Sequence, residues 1–349
     1  MNIIISCIHY PSASGRFAAA ALRRLGHDVR TLGMSTGNEI WRLTVADKYI
    51  WQPDGGLTQN WDDWQPDLII HMDSSFAYHH PVYQDIPHVI WGVDNHIRSY
   101  LQPGIAHYFL AHKAISIQAY DDNTTWLPCA YDPTLHTPSP IPWNEREYDV
   151  CMLGVMYPKR QEMLAALTKA KVKVFAGTGL LGEDYVRAYQ NSRIGLCVSA
   201  AGDVGQRIFE GAAMGCAVLT DPLPDWTALN LSGIVVYEDR TSMLAQVKEL
   251  LAAPTPTSKK TAAKDTSTQT SEDSAVMLTS VGEFTATLGQ QQVLANGRNT
   301  WDARAQVIVN WYERAYPQLV ERVTLSAAPI NELDNPSASQ SKVHKGKVQ

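Results

Sequence analysis

The feature that most restricts the fold is an alternation that occurs twice along the chain. Short apolar runs ending in turn residues are separated by stretches with helical spacing. "MNIIISCIHY" is a continuous apolar run, as expected of a strand buried on both faces of a parallel sheet. "PSASGR" supplies turn residues, and "FAAAALRRLGHDVRTLG" predicts a helix stopped at Gly26 and followed by a second strand. Three further strands are predicted in "PDLIIHMDSS", "HVIWGVD" and "HYFLAHK", whose polar ends would point at a ligand crevice. In "LPCAYDPTLHTPSPIPWNERE", Pro128, Pro133, Pro138, Pro140 and Pro142 then impose an extended connector. A second series follows: strand "YDVCMLGV", helix "KRQEMLAALTKA", strand "VKVFAG", helix "EDYVRAYQNS" and strand "RIGLCVSA". It continues through another helix and "CAVLTD" to "GIVVYED" and "SMLAQVKELLAA". The fold class is therefore α/β, with two Rossmann-like, doubly wound parallel-sheet halves.

The expected boundaries follow from these changes. Residues 1–135 form the first half, 136–147 the proline-rich link and 148–252 the second half. Residues 253–280 are rich in Thr, Ser, Lys and Pro and are expected to be a disordered insertion. Residues 281–323 would supply the closing helices of the second half, and 324–349 a loose tail.

Composition narrows the function classes. A length of 349 residues with 45% apolar and 18% charged content gives two domains enough material for their cores. A net charge of −6 argues against holding nucleic acid mainly through its phosphates. Cys7, Cys129, Cys151, Cys197 and Cys216 are scattered without a C-x-x-C pair, which suits a reducing compartment. The N-terminus lacks the basic segment and apolar length of a signal peptide, and no run approaches a membrane span. The expectation is a soluble, cytoplasmic protein.

Two stretches carry candidate chemistry. "GTGLLG" matches G-x-G-x-x-G through Gly177, Gly179 and Gly182, with Asp203 about 20 residues further on as a ribose acid. It would make the chain an NAD-dependent oxidoreductase. However, it is not in the first strand–helix turn of either half, and Glu183 and Asp184 would oppose a pyrophosphate. The second stretch, "GQRIFEGAAMGCAVLTD", places Gly205, Gln206 and Arg207 at a helix start, where open backbone N–H groups and the dipole favour a phosphate. Glu210 lies one turn in. It either accepts hydrogen bonds from two vicinal ribose hydroxyls or merely complements the dipole, and the residues alone leave both readings open. No D-x-D, H-E-x-x-H or P-loop pattern occurs, and ten of the eleven histidines fall in the first 136 residues without zinc-ligand spacing. No metal is expected.

The same residues resemble a known family. "GQRIFEGAAMGCAVLTD" is similar to the donor-site motif of GT-B glycosyltransferases, in particular the spore-maturation-protein (CgeB-like) group. "WLPCAYDPTLH" resembles that group's interdomain motif, and "YDVCMLGVMYPKRQEML" the first strand and loop of its C-terminal domain. "EDYVRAYQNSRIGLCVSA" and "VLANGRNTWDARAQVIV" extend the match in the same order over most of residues 90–316. The resemblance implies a GT-B fold, two Rossmann-like domains facing across a cleft, and a metal-independent glycosyltransferase of hexosyltransferase type. It would need no cofactor beyond its donor substrate, a nucleotide-diphosphate sugar, with UDP-sugar the expected class.

The resemblance assigns Glu210 to the nucleotide ribose, and Gly205, Gln206 and Arg207 to the diphosphate. Lys159 and Arg160 would be further phosphate-side cations, and Gly154, in the turn before them, would also belong to the nucleotide-binding residues. Many retaining relatives carry a second acid eight positions before the glutamate; here that position is Gly202, with Asp203 beside it. This departure keeps open a non-catalytic, nucleotide-sugar-binding alternative. An acceptor base would come from the first half, with Asp94 and His96 in "IWGVDNHIRSY" as the catalytic candidates. His9, Asp73 and Asn95 also stand at strand ends, and Ser14, Gly15 and Arg16 lie in the first loop. Each of these polar residues would equally serve as a helix cap. The tryptophans of "NWDDWQPD" could stack on a sugar, whereas Trp91 fits the core. The acceptor would be a glycan, a protein, a small molecule or modified DNA, the last requiring a basic face around Arg16, Arg98 and Lys113.

Overall fold

The computed structural model describes residues 1–33, 51–56, 58–73, 83–113, 123–252 and 280–319. Most of the expected insertion at 253–280, and the whole expected tail at 324–349, lie outside the described residues.

The first half is a parallel sheet of β1 (Asn2–Ser6), β2 (Asp28–Leu32), β3 (Leu68–Met72), β4 (His88–Gly92), β5 (His107–Leu110) and β6 (Thr124–Trp126). Its strand order is β2-β1-β3-β4-β5-β6. All of β3, β4 and β5 is buried, which explains why these strands are apolar without alternation. Helix α1 (Ser14–Arg24) buries Ala18, Ala19, Ala21 and Leu22 on this sheet. Arg23 and Arg24 complement its C-terminal dipole, and Gly26 stops it at φ +87°.

The second half is a parallel sheet in the order β11-β10-β9-β7-β8. Its strands are β7 (Tyr148–Leu153), β8 (Val174–Gly177), β9 (Ser192–Cys197), β10 (Ala217–Thr220) and β11 (Ile234–Val236). The helices are α2 (Pro158–Lys169), α3 (Gly182–Gln190), α4 (Gln206–Ala213), the short α5 (Trp226–Leu229) and α6 (Arg240–Leu250). In each sheet the strand order reverses beside the strand that opens it, between β1 and β3 and between β7 and β9. In an open α/β sheet, a ligand crevice forms outside the strand ends at such a reversal.

Two closing helices follow, α7 (Val281–Leu294) and α8 (Trp301–Ala315). Helix α7 packs on α4, where Gln290 Nε2 donates to the Ala213 carbonyl at 2.9 Å. Helix α8 crosses back and packs on α1. Trp301, fully buried, lies 6.0 Å from Phe17 and 5.2 Å from Trp91, ring centre to ring centre. Arg24 on α1 pairs with Asp302 at 2.7 Å and with Asp132 of the link at 3.0 Å. The amphipathic pattern of α8 revealed a buried face; the tryptophan pocket decides which half covers it. The Trp301 N–H donates to the Tyr131 carbonyl, and the Tyr131 N–H to that of Asn299, both at 3.0 Å. Thus the two described chain segments that pass between the halves are tied to each other.

Candidate functional site

A cavity of about 660 Å³ opens between the halves, within the usual range for a small-molecule site. The ends of β7 and β8 and the starts of α3 and α4 form one wall. Tyr10, Arg16 and Phe17 of the first half form the other, and Asp132–His136 of the link close one side.

Helix α4 presents its N-terminus to this cavity. Its N-cap, Gly205, is extended and provides no side-chain cap, so the first N–H groups are left to the cavity. Three arginine and lysine candidates stand near this point, and their surroundings differ sharply. Lys159 Nζ is 2.5 Å from Asp221 Oδ2, and Lys159 does not line the cavity. The Arg160 guanidinium is buried and donates to the Val198 carbonyl at 2.8 and 2.9 Å and to that of Val155 at 2.8 Å. Arg207 lines the cavity, and no carbonyl or carboxylate of the described residues accepts a hydrogen bond from it. Gly154 gives it room. This glycine has φ +114°, and a Cβ there would stand 2.9 Å from the Arg207 guanidinium and 3.0 Å from that of Arg160.

Glu210 also lines the cavity, although only 4% of its surface is exposed. Gln206 Nε2 donates to its Oε1 and Tyr185 Oη to its Oε2, each at 2.5 Å. His136 Nε2 stands 3.3 Å from Oε1. Burial, then the adjacent Glu210 charge, push the Tyr185 phenol well above its ordinary range, so it remains a donor. A carboxylate one turn inside a helix needs no such surroundings to complement a dipole. The burial and fixed orientation of Glu210 therefore go beyond what dipole complementation requires. Tyr185 and His136 were not singled out from the sequence.

A smaller chamber of about 190 Å³ lies in the first half, and Tyr10 lines both cavities. Asp73 and Asp94, from the ends of β3 and β4, share its wall with Cys7, Ser14, Gly15 and Arg98. Asp94 pairs with Arg98 at 3.3 Å. Asp73 adopts φ +49°, a left-handed conformation that is strained for a residue other than glycine. Tyr100 Oη donates to its Oδ1 at 2.6 Å. Burial, followed by the Asp94 charge, raises the Asp73 pKa to about 7 against the opposing pull of Tyr100 and Arg98.

The remaining candidates lie elsewhere. His96 is buried at the contact between the halves, its Nε2 4.0 Å from Asp203, and lines neither cavity. Asp203 also accepts from the backbone of Ala200 and Ala201, away from the Gly177–Gly182 loop that lines the larger cavity. The pairing of that loop with a ribose acid, which the dinucleotide reading requires, is therefore not assembled. Asn95 joins the His112 backbone through hydrogen bonds of 2.8 and 2.9 Å. His9 is buried against Trp51, and that burial lowers its pKa to about 4. Trp61 and Trp64 pack around the Arg30 guanidinium, and Trp91 is fully buried in the core.

Residues 142–273 match a family model described as glycosyl transferase-like. The chain also superposes on solved structures along nearly their whole length. A glycosyltransferase from Rickettsia africae matches with a TM-score of 0.58 at 10% identity, over 90% of this chain and 98% of that one. HepE from Anabaena, solved in complex with UDP-glucose, matches with a TM-score of 0.58 at 12% identity, over 89% and 99%. A sucrose-phosphate synthase from Thermosynechococcus elongatus matches with a TM-score of 0.54 at 11% identity, over 91% and 100%.

The fold is GT-B.

At these identities the likeness establishes architecture alone. No curated protein sequence matches the chain. In GT-B terms, the larger cavity is the cleft between the two Rossmann-like domains. Among the described residues no helix is long and apolar enough to cross a membrane.

Proposed function

We propose that this protein is a glycosyltransferase that moves a hexosyl group from a UDP-sugar to an acceptor hydroxyl without a metal ion. The order of its sequence blocks points to the CgeB-like group. Arg207 carries the reading: a guanidinium with no hydrogen-bond acceptor among the described residues lies at an open helix N-terminus, beside a buried carboxylate, in the interdomain cleft. Five fixed donors and a helix dipole suit a diphosphate whose negative charge grows as it leaves. Glu210 takes one ribose hydroxyl, and Gly205 and Gln206 offer backbone N–H groups to the phosphates. Gly154 lets Arg207 approach. Lys159 and Arg160 act indirectly, Lys159 through Asp221 and Arg160 by holding the Gly154–Val155 turn.

The acceptor enters from the Tyr10 side. Its hydroxyl oxygen attacks the anomeric carbon as the bond to the diphosphate oxygen breaks. Its proton passes to the Asp73–Asp94 pair in the smaller chamber. Asp94 is thus kept from the sequence-based candidates, whereas His96 serves the contact between the halves. The UDP-glucose complex of the structurally similar HepE supports a uridine donor.

Calorimetric titration with UDP, GDP and NAD⁺ tests this reading. UDP should bind, and Glu210→Ala should weaken it by roughly 10- to 100-fold, the effect of losing hydrogen bonds to a charged group. NAD⁺ binding that is indifferent to Glu210 would overturn the proposal. UDP-sugar binding without release of UDP, to water or to any acceptor, would leave the non-catalytic alternative suggested by Gly202.

A further inference from the structure

We infer that His136, a residue of the link between the two halves, is a positioning residue that sets the orientation of the Glu210 carboxylate for ribose. The inference rests on the assignment of the larger cavity to a nucleoside diphosphate. It starts from the hydrogen bond at Nδ1, which accepts from the Asp132 backbone N–H at 2.9 Å. An accepting Nδ1 carries no proton, so the ring proton is on Nε2. Nε2 faces Glu210 Oε1 at 3.3 Å, which makes His136 a donor to the carboxylate. The ring has little freedom to turn: it is 2% exposed, with Phe17 of α1 and Tyr185 of α3 each 6.0 Å from it, centre to centre.

Asp132 is fixed in turn. Its Oδ1 accepts from the Thr134 backbone at 2.9 Å and from the Thr134 hydroxyl at 2.6 Å. Its Oδ2 accepts from Arg24 of α1, which also holds Asp302 of α8. A continuous set of hydrogen bonds therefore runs from the first half, through the link, to a carboxylate on the second half. Tyr185 holds the other oxygen of Glu210 from within the second half. Of the roughly four lone-pair positions on a carboxylate, three already face donors. A ribose hydroxyl thus meets an oxygen whose plane the first half has helped to set. The donor site senses how the halves are arranged through His136.

Two measurements test this, using UDP and 2′-deoxy-UDP as probes. Calorimetry of the wild-type protein should show UDP preferred by roughly 10-fold or more, the effect of one hydrogen bond to a charged group. His136→Leu should reduce the preference to within about twofold, and His136→Gln, which keeps an N–H donor, should restore part of it. A general packing defect would weaken both nucleotides equally. The second measurement, ¹⁵N NMR of the wild-type ring, should show protonated Nε2 and bare Nδ1, and it does not depend on any variant folding. A protonated Nδ1 with bare Nε2, or an undiminished UDP preference in folded His136→Leu, would overturn the inference. Wild-type protein that binds neither nucleotide would overturn the donor-site assignment itself.

Discussion

Replacing Arg207 by Met is expected to slow release of UDP from UDP-glucose by roughly 10²- to 10³-fold, the usual effect of removing a fixed donor that stabilises developing charge. Its urea unfolding midpoint should stay close to that of the wild type. The second expectation distinguishes function from packing. No described carbonyl or carboxylate accepts from Arg207, so its removal leaves no buried acceptor unpaired. Arg160→Met provides the contrast. That change strips donors from the Val155 and Val198 carbonyls and should lower stability by about 1–3 kcal/mol. Steady-state rates and urea unfolding of both variants check the pair of expectations. An Arg207→Met protein with undiminished turnover would remove the leaving-group role.

Asp73→Asn is expected to lower the same turnover by about 10²- to 10⁴-fold, the range for a lost general base. The wild-type rate should rise with pH through about 7 as the Asp73 carboxyl loses its proton, and the variant should lack this rise. The charged and titratable groups around Asp73 are Asp94, Arg98, Tyr100, Tyr10, Cys7 and Cys129. Burial drives both nearby cysteines and both tyrosines upward, which leaves Asp73 to shape the acidic limb. Initial rates at about pH 5 to 9, with water as acceptor, measure this directly. If the limb persists in Asp73→Asn, the proton leaves by another path, such as the departing phosphate.

Stability offers a second check with a definite sign. The folded pKa of Asp73 is raised above its ordinary 3.8. Its favourable contribution is therefore fully present below pH 3.8 and is lost as the pH rises through about 7. Relative to the wild type, Asp73→Asn should become more stable on the alkaline side of that range.

The legibility of this molecule follows the range of the interactions involved. β1, β4 and β7 are apolar because both faces of a parallel sheet are covered, and that requirement is written into consecutive residues. Glu210 and Arg207 are legible for the same reason: a helix start and the turn after it form a local pattern. His136 and Tyr185 meet Glu210 from 74 and 25 positions away, a separation that periodicity does not encode. Lys159 and Arg160 look alike in sequence, yet one side chain reaches Asp221 and the other the Val198 carbonyl. Only the packed loops distinguish them. Asp73 and Asp94 both follow strands. Asp73 is set apart by its burial and by the Tyr100 hydroxyl, which reaches it from 27 positions away.

The tie between Tyr131 and residues 299–301 also has a mechanical consequence. Among the described residues two connectors pass between the halves, and backbone hydrogen bonds fasten them to each other at Tyr131. A pair of joined leaves behaves as a flexure: it bends readily about the axis lying across both leaves but resists torsion. Any displacement of one half relative to the other would therefore have to deform both connectors at once.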